Sequence, residues 1–202
     1  MRFRFPDKPT SSTPTFIGTL ARRRKLINQW KYDGHNTEVF YNRGRQLLVM
    51  TSGGLVMKHP KFTDDFRSAL QLIDVPEETV LNVEFVGPRH GFEPHLYIFD
   101  VYGWDGEWLV DEGYGQRWAR CNALNLSRAG SLVSLAHTIE GDPIAEFERL
   151  RAGWKLDPDN WITEGIVAKD VLVGLRLASR DNATNPGQYK TKFRDVQREI
   201  NR

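Results

Sequence analysis

Lys31-Tyr32-Asp33-Gly34 holds a lysine that could act as a nucleophile beside its own electrostatic partner. In extended backbone residues i and i+2 share a face, so Lys31 and Asp33 would project together while Gly34 lets the chain turn tightly behind them. A lysine attacks only as the neutral amine, and burial or cationic neighbours lower its pKa toward that state. Lys190 and Lys192, also two residues apart, are candidates for those neighbours. The plain alternative is a hairpin turn carrying a salt-bridged lysine.

Further along the chain come segments with matching chemistry. In Asn82-Val83-Glu84-Phe85-Val86 the alternation turns Val83 and Phe85 to a core and Glu84 to the opposite face, over a cleft or into water. Leu96 to Tyr102 is aromatic and β-branched, a strand in which Phe99 could stack on a base or pack in a core and Asp100 supplies an acid. Glu164-Gly165-Ile166-Val167-Ala168-Lys169 places an acid before an apolar strand and a lysine at its far end. Glu164 and Lys169 are five apart, so strand parity lets both reach one site only if the strand bends, with Gly165 as the place for it. Tyr189-Lys190-Thr191-Lys192 puts two ammonium groups on one strand face, and a solvated sheet face is the alternative for each charge.

In this order and spacing the chain resembles the covalent nucleotidyltransferases, that is, the polynucleotide ligases and mRNA-capping guanylyltransferases. Lys31-x-Asp33-Gly34 is similar to their nucleophile motif, Glu84 to the ribose-binding acid, Phe99-Asp100 to the base-stacking motif, Glu164 to Lys169 to the metal-binding motif, and Lys190-x-Lys192 to the phosphate-binding pair. Two details resemble the RNA ligases of the phage RNA ligase 2 and kinetoplastid editing-ligase group: Asn36, where DNA ligases and capping enzymes usually carry arginine, and Glu84-x-x-Gly87-Pro88. That group commonly has histidine where this chain has Asp33, and Glu164 to Lys169 would suit a DNA ligase equally well. The slot where the family places a cation for a nucleic-acid 5′-phosphate reads Thr51-Ser52-Gly53-Gly54. Its hydroxyls and N–H groups could cradle a phosphate, or Arg43 and Arg45 could substitute, unless it is a plain turn.

The resemblance implies an ATP-dependent RNA ligase joining 5′-phosphate and 3′-hydroxyl ends through a lysyl-AMP intermediate. A minimal DNA ligase, a capping-type guanylyltransferase and a non-catalytic module that binds nucleic-acid ends are the alternatives. It assigns Lys31 as nucleophile, Lys190 and Lys192 to the α-phosphate, Asp33, Asn36, Glu84, Phe99 and Lys169 to nucleotide binding, and Glu164 with Asp100 to Mg²⁺. RNA or a nicked duplex is the expected partner of a monomer acting in the cytoplasm, a phage-encoded one in its host's. The chain stops about ten residues past Lys192, without the OB domain or helical C-terminal domain such ligases carry, as expected of a minimal enzyme or a catalytic fragment.

Elements able to hold these residues follow from the pattern. Residues 1 to 16, rich in Pro, Ser and Thr, read as an N-terminal arm, and 17 to 202 as the nucleotidyltransferase (adenylation) domain. Three short strands are expected from 28 to 57, a helix from 62 to 73, and strands near 79–86, 95–102 and 107–110 with Asp105-Gly106 as a hairpin turn. A helix at 112–124, a strand at 131–138, a helix at 143–150 begun at Asp142, and two last strands complete an α+β fold of antiparallel sheets flanked by helices. A chain of 202 residues that is 40% hydrophobic and 11% aromatic suits one packed domain. Its net charge of +2 does not by itself imply nucleic acid, and Arg22-Arg23-Arg24-Lys25 is the one obvious basic run, a phosphate contact or a solvated surface. A single cysteine, Cys121, precludes an intramolecular disulfide, and His35, His59, His90, His95 and His137 lack zinc-ligand spacing. No stretch has the length and apolarity of a signal peptide or a membrane span.

Overall fold

A computed structural model describes residues 6–87, 92–176 and 184–200, the last four without side-chain detail. Pro88, His90 and the first five residues of the expected arm lie outside the described residues. Two sheets face each other across a cleft. The first has the order β1 (Lys8–Ser11), β10 (Thr184–Lys192), β9 (Thr163–Asp170), β2 (Leu26–Tyr32). The second runs β4 (Leu47–Thr51), β3 (His35–Tyr41), β5 (Thr79–Val86), β6 (His95–Trp104), β7 (Glu107–Trp108), and β8 (Val133–Leu135) pairs with β6. Most pairings are antiparallel; β1 with β10 and β8 with β6 are parallel.

Helices pack around both sheets. Helices α1 (Pro14–Ala21), α4 (Pro143–Leu156) and α5 (Phe193–Ile200) back the first sheet, and their shared core is Ile17, Phe147, Leu150, Ile166, Ala168 and Phe193. Helix α2 (Asp64–Gln71) backs the second sheet and α3 (Tyr114–Asn122) touches both sheets, through β6 and β9, in a larger core that includes Val39, Leu81, Val83, Phe85, Leu96, Ile98 and Trp118. Each fully buried Phe or Ile contributes about 1.5–3 kcal/mol, so these two clusters fix the sheets on which the site is built.

The α+β expectation holds, with local differences. The stretch read as an arm carries β1 and the start of α1: Thr13 Oγ1 accepts from the Phe16 N–H at 3.2 Å and Pro14 opens the helix, a Thr-Pro cap visible in the sequence. Helix α4 runs six residues past Leu150 because nothing in Arg151 to Leu156 breaks it, and Asp142 caps it by accepting from the Ile144 N–H. The expected strand at 131–138 shrinks to β8, since Ser127–Leu132 winds into a 3₁₀ turn with Gly130 at φ +68°. Asp105 and Gly106, at φ +51° and +85°, make the predicted tight turn. No helix among the described residues is long and apolar enough to cross a membrane.

One buried acid on β3 sits apart from the expected chemistry. Glu38 is fully buried, its carboxylate oxygens have no hydrogen-bond partner among the described residues, and burial pushes its pKa from 4.5 to about 8. Folding between those values must bind a proton, so stability falls as pH rises from about 4.5 to about 8. Replacing the group by its neutral isostere in Glu38→Gln should stabilise the protein at pH 8 by on the order of a few kcal/mol, with the gain shrinking toward zero near pH 4.5. Urea unfolding of both proteins across that range checks this; a pH-independent difference would contradict it.

Candidate active site

A cavity of about 460 Å³ opens between the two sheets. Of the ten residues singled out in the sequence, nine line it: Lys31, Asp33, Asn36, Glu84, Phe99, Glu164, Lys169, Lys190 and Lys192. Asp100 does not.

Two glycines make this convergence possible. The first sheet ends β2 at Tyr32, and after Asp33-Gly34 the chain begins β3 in the other sheet, so the turn joins sheets instead of closing a hairpin. A Cβ on Gly34 would lie 2.4 Å from the Phe85 carbonyl oxygen, and the Gly34 N–H donates to Glu84 Oε1 at 3.1 Å. Gly165 has φ +153°, and a Cβ there would lie 1.8 Å from the Thr191 carbonyl oxygen. The ladder slips at that point: Lys31 faces Gly165 but Tyr32 faces Thr163, leaving Glu164 as an extra, bulged residue. The expected bend at Gly165 is therefore real, and it turns Glu164 into the cleft together with Lys169.

Lys31, Gly165 and Lys192 lie side by side across three strands. Glu164 bridges the two lysines: Oε1 is in direct ion-pair contact with Lys31 Nζ, and Oε2 accepts from Lys192 Nζ at 2.8 Å. Burial pulls the Lys31 ammonium down, but Glu84, Glu164 and Asp33 outweigh it and leave its pKa above the ordinary value. This reverses the expected effect of Lys190 and Lys192, because Glu164 stands between the charges. Burial raises Glu164, and the Lys31 and Lys192 ammonium groups more than cancel that and hold it below the usual carboxylate value. Lys190 is lowered by burial and by the charges of Lys31, Lys192 and Lys8.

On the opposite wall Glu84 accepts from Asn36 Nδ2 at 3.3 Å as well as from Gly34, and Asn36 also donates to Asn82 Oδ1 at 3.2 Å. Burial raises the Glu84 pKa despite Lys31 and these donors. The Phe99 carbonyl is held from behind by Lys169 Nζ at 3.0 Å and Tyr114 Oη at 2.8 Å. Lys169 is buried over the Tyr114 ring, and burial, aided by Arg117 and opposed by Asp100, brings its pKa down to about 8.

Asp100 was expected to share a metal with Glu164. Its carboxylate instead accepts from Arg117 Nε at 2.9 Å and Nη2 at 3.2 Å, and both side chains are fully buried. Arg117 escaped the sequence reading, although Tyr114, Arg117, Trp118 and Cys121 share one helical stripe, which marks an arginine on a buried face. Of the readings for the 5′-phosphate slot, the structure brings Thr51 and Ser52 to the cavity, whereas Arg43 pairs with Glu78 and Arg45 donates to the Ile73 carbonyl. Arg22 and Arg24 bond Thr19 and Asp170, away from the cleft. The sequence reading also missed Asp7 and Lys8, which line the cavity from β1 and the residues before it.

A family model described as RNA ligase matches residues 24–182. The chain belongs to the RNA ligase family. The two-sheet fold is that of ligase nucleotidyltransferase domains. A mycobacterial DNA ligase D complexed with ATP and MES is similar at a TM-score of 0.66 and 17% identity, over 95% of this chain and 62% of that one. An archaeal ATP-dependent RNA ligase matches at 0.58 and 16%, over 94% of this chain and 48% of the other. A Lig E DNA ligase, described as binding DNA with a minimal scaffold, matches at 0.57 and 11%, over 95% and 69%. The chain thus spans about three fifths of the ligase D structure and half of the archaeal one. No curated protein shows significant sequence similarity.

Within this RNA ligase family domain, Asp100 has a structural task. Asp100→Ala should strand Arg117 without its counter-charge and cost about 3–5 kcal/mol of stability, read by chemical denaturation. A variant as stable as the parent would return Asp100 to the list of metal ligands.

Proposed function

We propose that this chain is the nucleotidyltransferase domain of an ATP-dependent RNA ligase that joins 5′-phosphate and 3′-hydroxyl ends through a covalent lysyl-AMP. One observation carries the reading: Lys31, Glu164, Lys190, Lys192, Glu84 and Phe99 line a single cavity, with Lys31 at its centre of charge.

Lys31 Nζ, as the neutral amine, attacks the α-phosphorus of ATP. The N–P bond forms, the bond to the bridging oxygen breaks, and pyrophosphate leaves with the electron pair while the amine sheds its proton to solvent. A 5′-phosphate oxygen then displaces Lys31, and the 3′-hydroxyl finally displaces AMP to form the phosphodiester. Such transfers depend on in-line positioning and charge neutralisation. Phe99 stacks on the base, Glu84 accepts the ribose hydroxyls, and Lys190 and Lys192 neutralise the α-phosphate oxygens. When Glu164 exchanges its contact with Lys31 for another cation, Lys31 faces Lys190 and Lys192, and their charge favours the reactive free amine.

Among the described residues no cluster of three or more His, Cys, Asp or Glu could hold a metal by itself. Glu164 still fits Mg²⁺, which takes one or two carboxylates plus substrate phosphates and water, and Asp33 and Glu84 line the same cavity. Glu164 would hold it, and the ion would screen phosphate charge.

Incubation with radiolabelled ATP and Mg²⁺, followed by a denaturing gel and intact-mass analysis, should reveal an acid-labile AMP adduct. Lys31→Ala should abolish it, and so should Lys31→Arg, since guanidinium stays protonated. An adduct persisting in either variant would move the nucleophile elsewhere.

RNA is preferred over DNA because of Asn36, which bonds Glu84, and because the family model is that of RNA ligases. DNA ligases among the similar structures favour the second reading, a DNA ligase. Nicked duplexes with a 3′-terminal ribonucleotide should seal faster than all-DNA nicks by about fivefold, the worth of one hydrogen bond to the 2′-hydroxyl. Equal or faster sealing of the all-DNA nick would select the DNA ligase.

A further inference from the structure

Strand β1 completes the cleft with a cation that the family resemblance does not assign. Pro6, Asp7, Lys8 and Pro9 line the cavity, and β1 is bound to the lysine-bearing β10 by a parallel ladder. Ser12, just beyond β1, secures the join: its N–H donates to the Lys190 carbonyl at 2.9 Å, and Thr191 Oγ1 donates to the Ser12 carbonyl at 3.0 Å. The Lys8 side chain is exposed, has no ion-pair partner among the described residues, and is close enough to Lys190 to depress that lysine's pKa.

The other cations lining the cavity already have tasks. Lys31 attacks, Lys190 and Lys192 meet the α-phosphate, and Lys169 is buried against the Phe99 carbonyl. The β- and γ-phosphates of a bound triphosphate need a counter-charge as well. In-line displacement fixes where they lie, opposite the attacking nitrogen. Across the first sheet the order is nucleophile strand β2, then β9 with Glu164, then β10 with Lys190 and Lys192, then β1. A leaving group expelled along this order passes over β10 toward β1, where Ser11 pairs with Lys190 and Lys8, three residues before it, lines the cavity.

We propose that Lys8 binds the pyrophosphate leaving group of self-adenylylation. The assignment rests on the ligase reading above and deepens it. As the bond from the α-phosphorus to the bridging oxygen breaks, negative charge grows on pyrophosphate, and the Lys8 ammonium neutralises it without taking or giving a proton. Strand β1 thereby contributes a phosphate contact from the first residues of the domain.

The test uses the full chain and pyrophosphate itself. Pre-formed lysyl-AMP protein is mixed with pyrophosphate and Mg²⁺, and regeneration of ATP is followed against pyrophosphate concentration. Lys8→Ala should raise the pyrophosphate KM by about tenfold, the effect of losing one charged phosphate contact. Lys8→Glu should raise it further, and Lys8→Arg should restore it. The ratio of self-adenylylation to sealing of a pre-adenylylated strand, in which no triphosphate takes part, should drop to a similar degree in Lys8→Ala. Because Lys8 is an exposed side chain at a sheet edge, its replacement leaves the core intact, and a matching unfolding midpoint verifies that. Unchanged pyrophosphate KM and an unchanged ratio in a variant that still forms the adduct would overturn the role of Lys8 alone. A wild-type protein that forms no adduct would overturn the ligase reading and this inference with it.

Discussion

Lys8, Lys31, Lys190 and Lys192 all line one cleft, and like charges at contact distance repel by about 4 kcal/mol at an effective dielectric of 20. The carboxylate of Glu164, shared between Lys31 and Lys192, is what lets them be assembled before any phosphate arrives. Its position depends on the bulge at Gly165, where only a residue without Cβ fits against the Thr191 carbonyl. The cationic cleft, the bulge and the close approach of β9 to β10 are thus one constraint. Under the proposed function a triphosphate would meet the lysines that Glu164 contacts, so nucleotide and carboxylate would compete for the same ammonium groups.

The two walls are tied close by, where the chain leaves β2. Gly34 passes within bonding distance of Glu84, so the turn after β2 also orients that carboxylate. Asn36, one step along β3, holds the other oxygen and links it to Asn82. Phe99 and Glu84 lie on one sheet and Lys31 on the other, and the Asp33-Gly34 connection joins the two.

The lining of the cleft was legible because strand parity is short-range: Val83 and Phe85 against Glu84, and Lys190 with Lys192, need only a period of two. Even the bend at Gly165 was forced by counting residues between Glu164 and Lys169. Long-range pairing was not legible. No local rule places Lys8 beside a strand some 180 residues later, and the Pro, Ser and Thr content of that segment pointed to an arm. The task of Asp100 was misread for a related reason. Its partner Arg117 lies on a helix 17 residues away, and an aspartate in a strand beside a cleft looks the same whether it meets a metal or a buried guanidinium.

Lys169 and Lys31 show why geometry must accompany acidity in choosing a nucleophile. By proton affinity alone Lys169 is the better amine near neutral pH, since burial brings it down to about 8 while the carboxylates around Lys31 raise that group. Yet Lys169 is spent: its ammonium donates to the Phe99 carbonyl and rests on the Tyr114 ring, inside a wall braced by Asp100 and Arg117. An amine so placed lines the cavity with its ammonium already engaged by a carbonyl, a ring and a carboxylate. Lys31 is in direct ion-pair contact with Glu164 and also feels Glu84 and Asp33, and under the proposed function a cation that draws Glu164 away would free the amine for the α-phosphate. On the proposed reading the lysine with the lower pKa serves the wall, and the lysine held protonated by its counter-ions is the nucleophile.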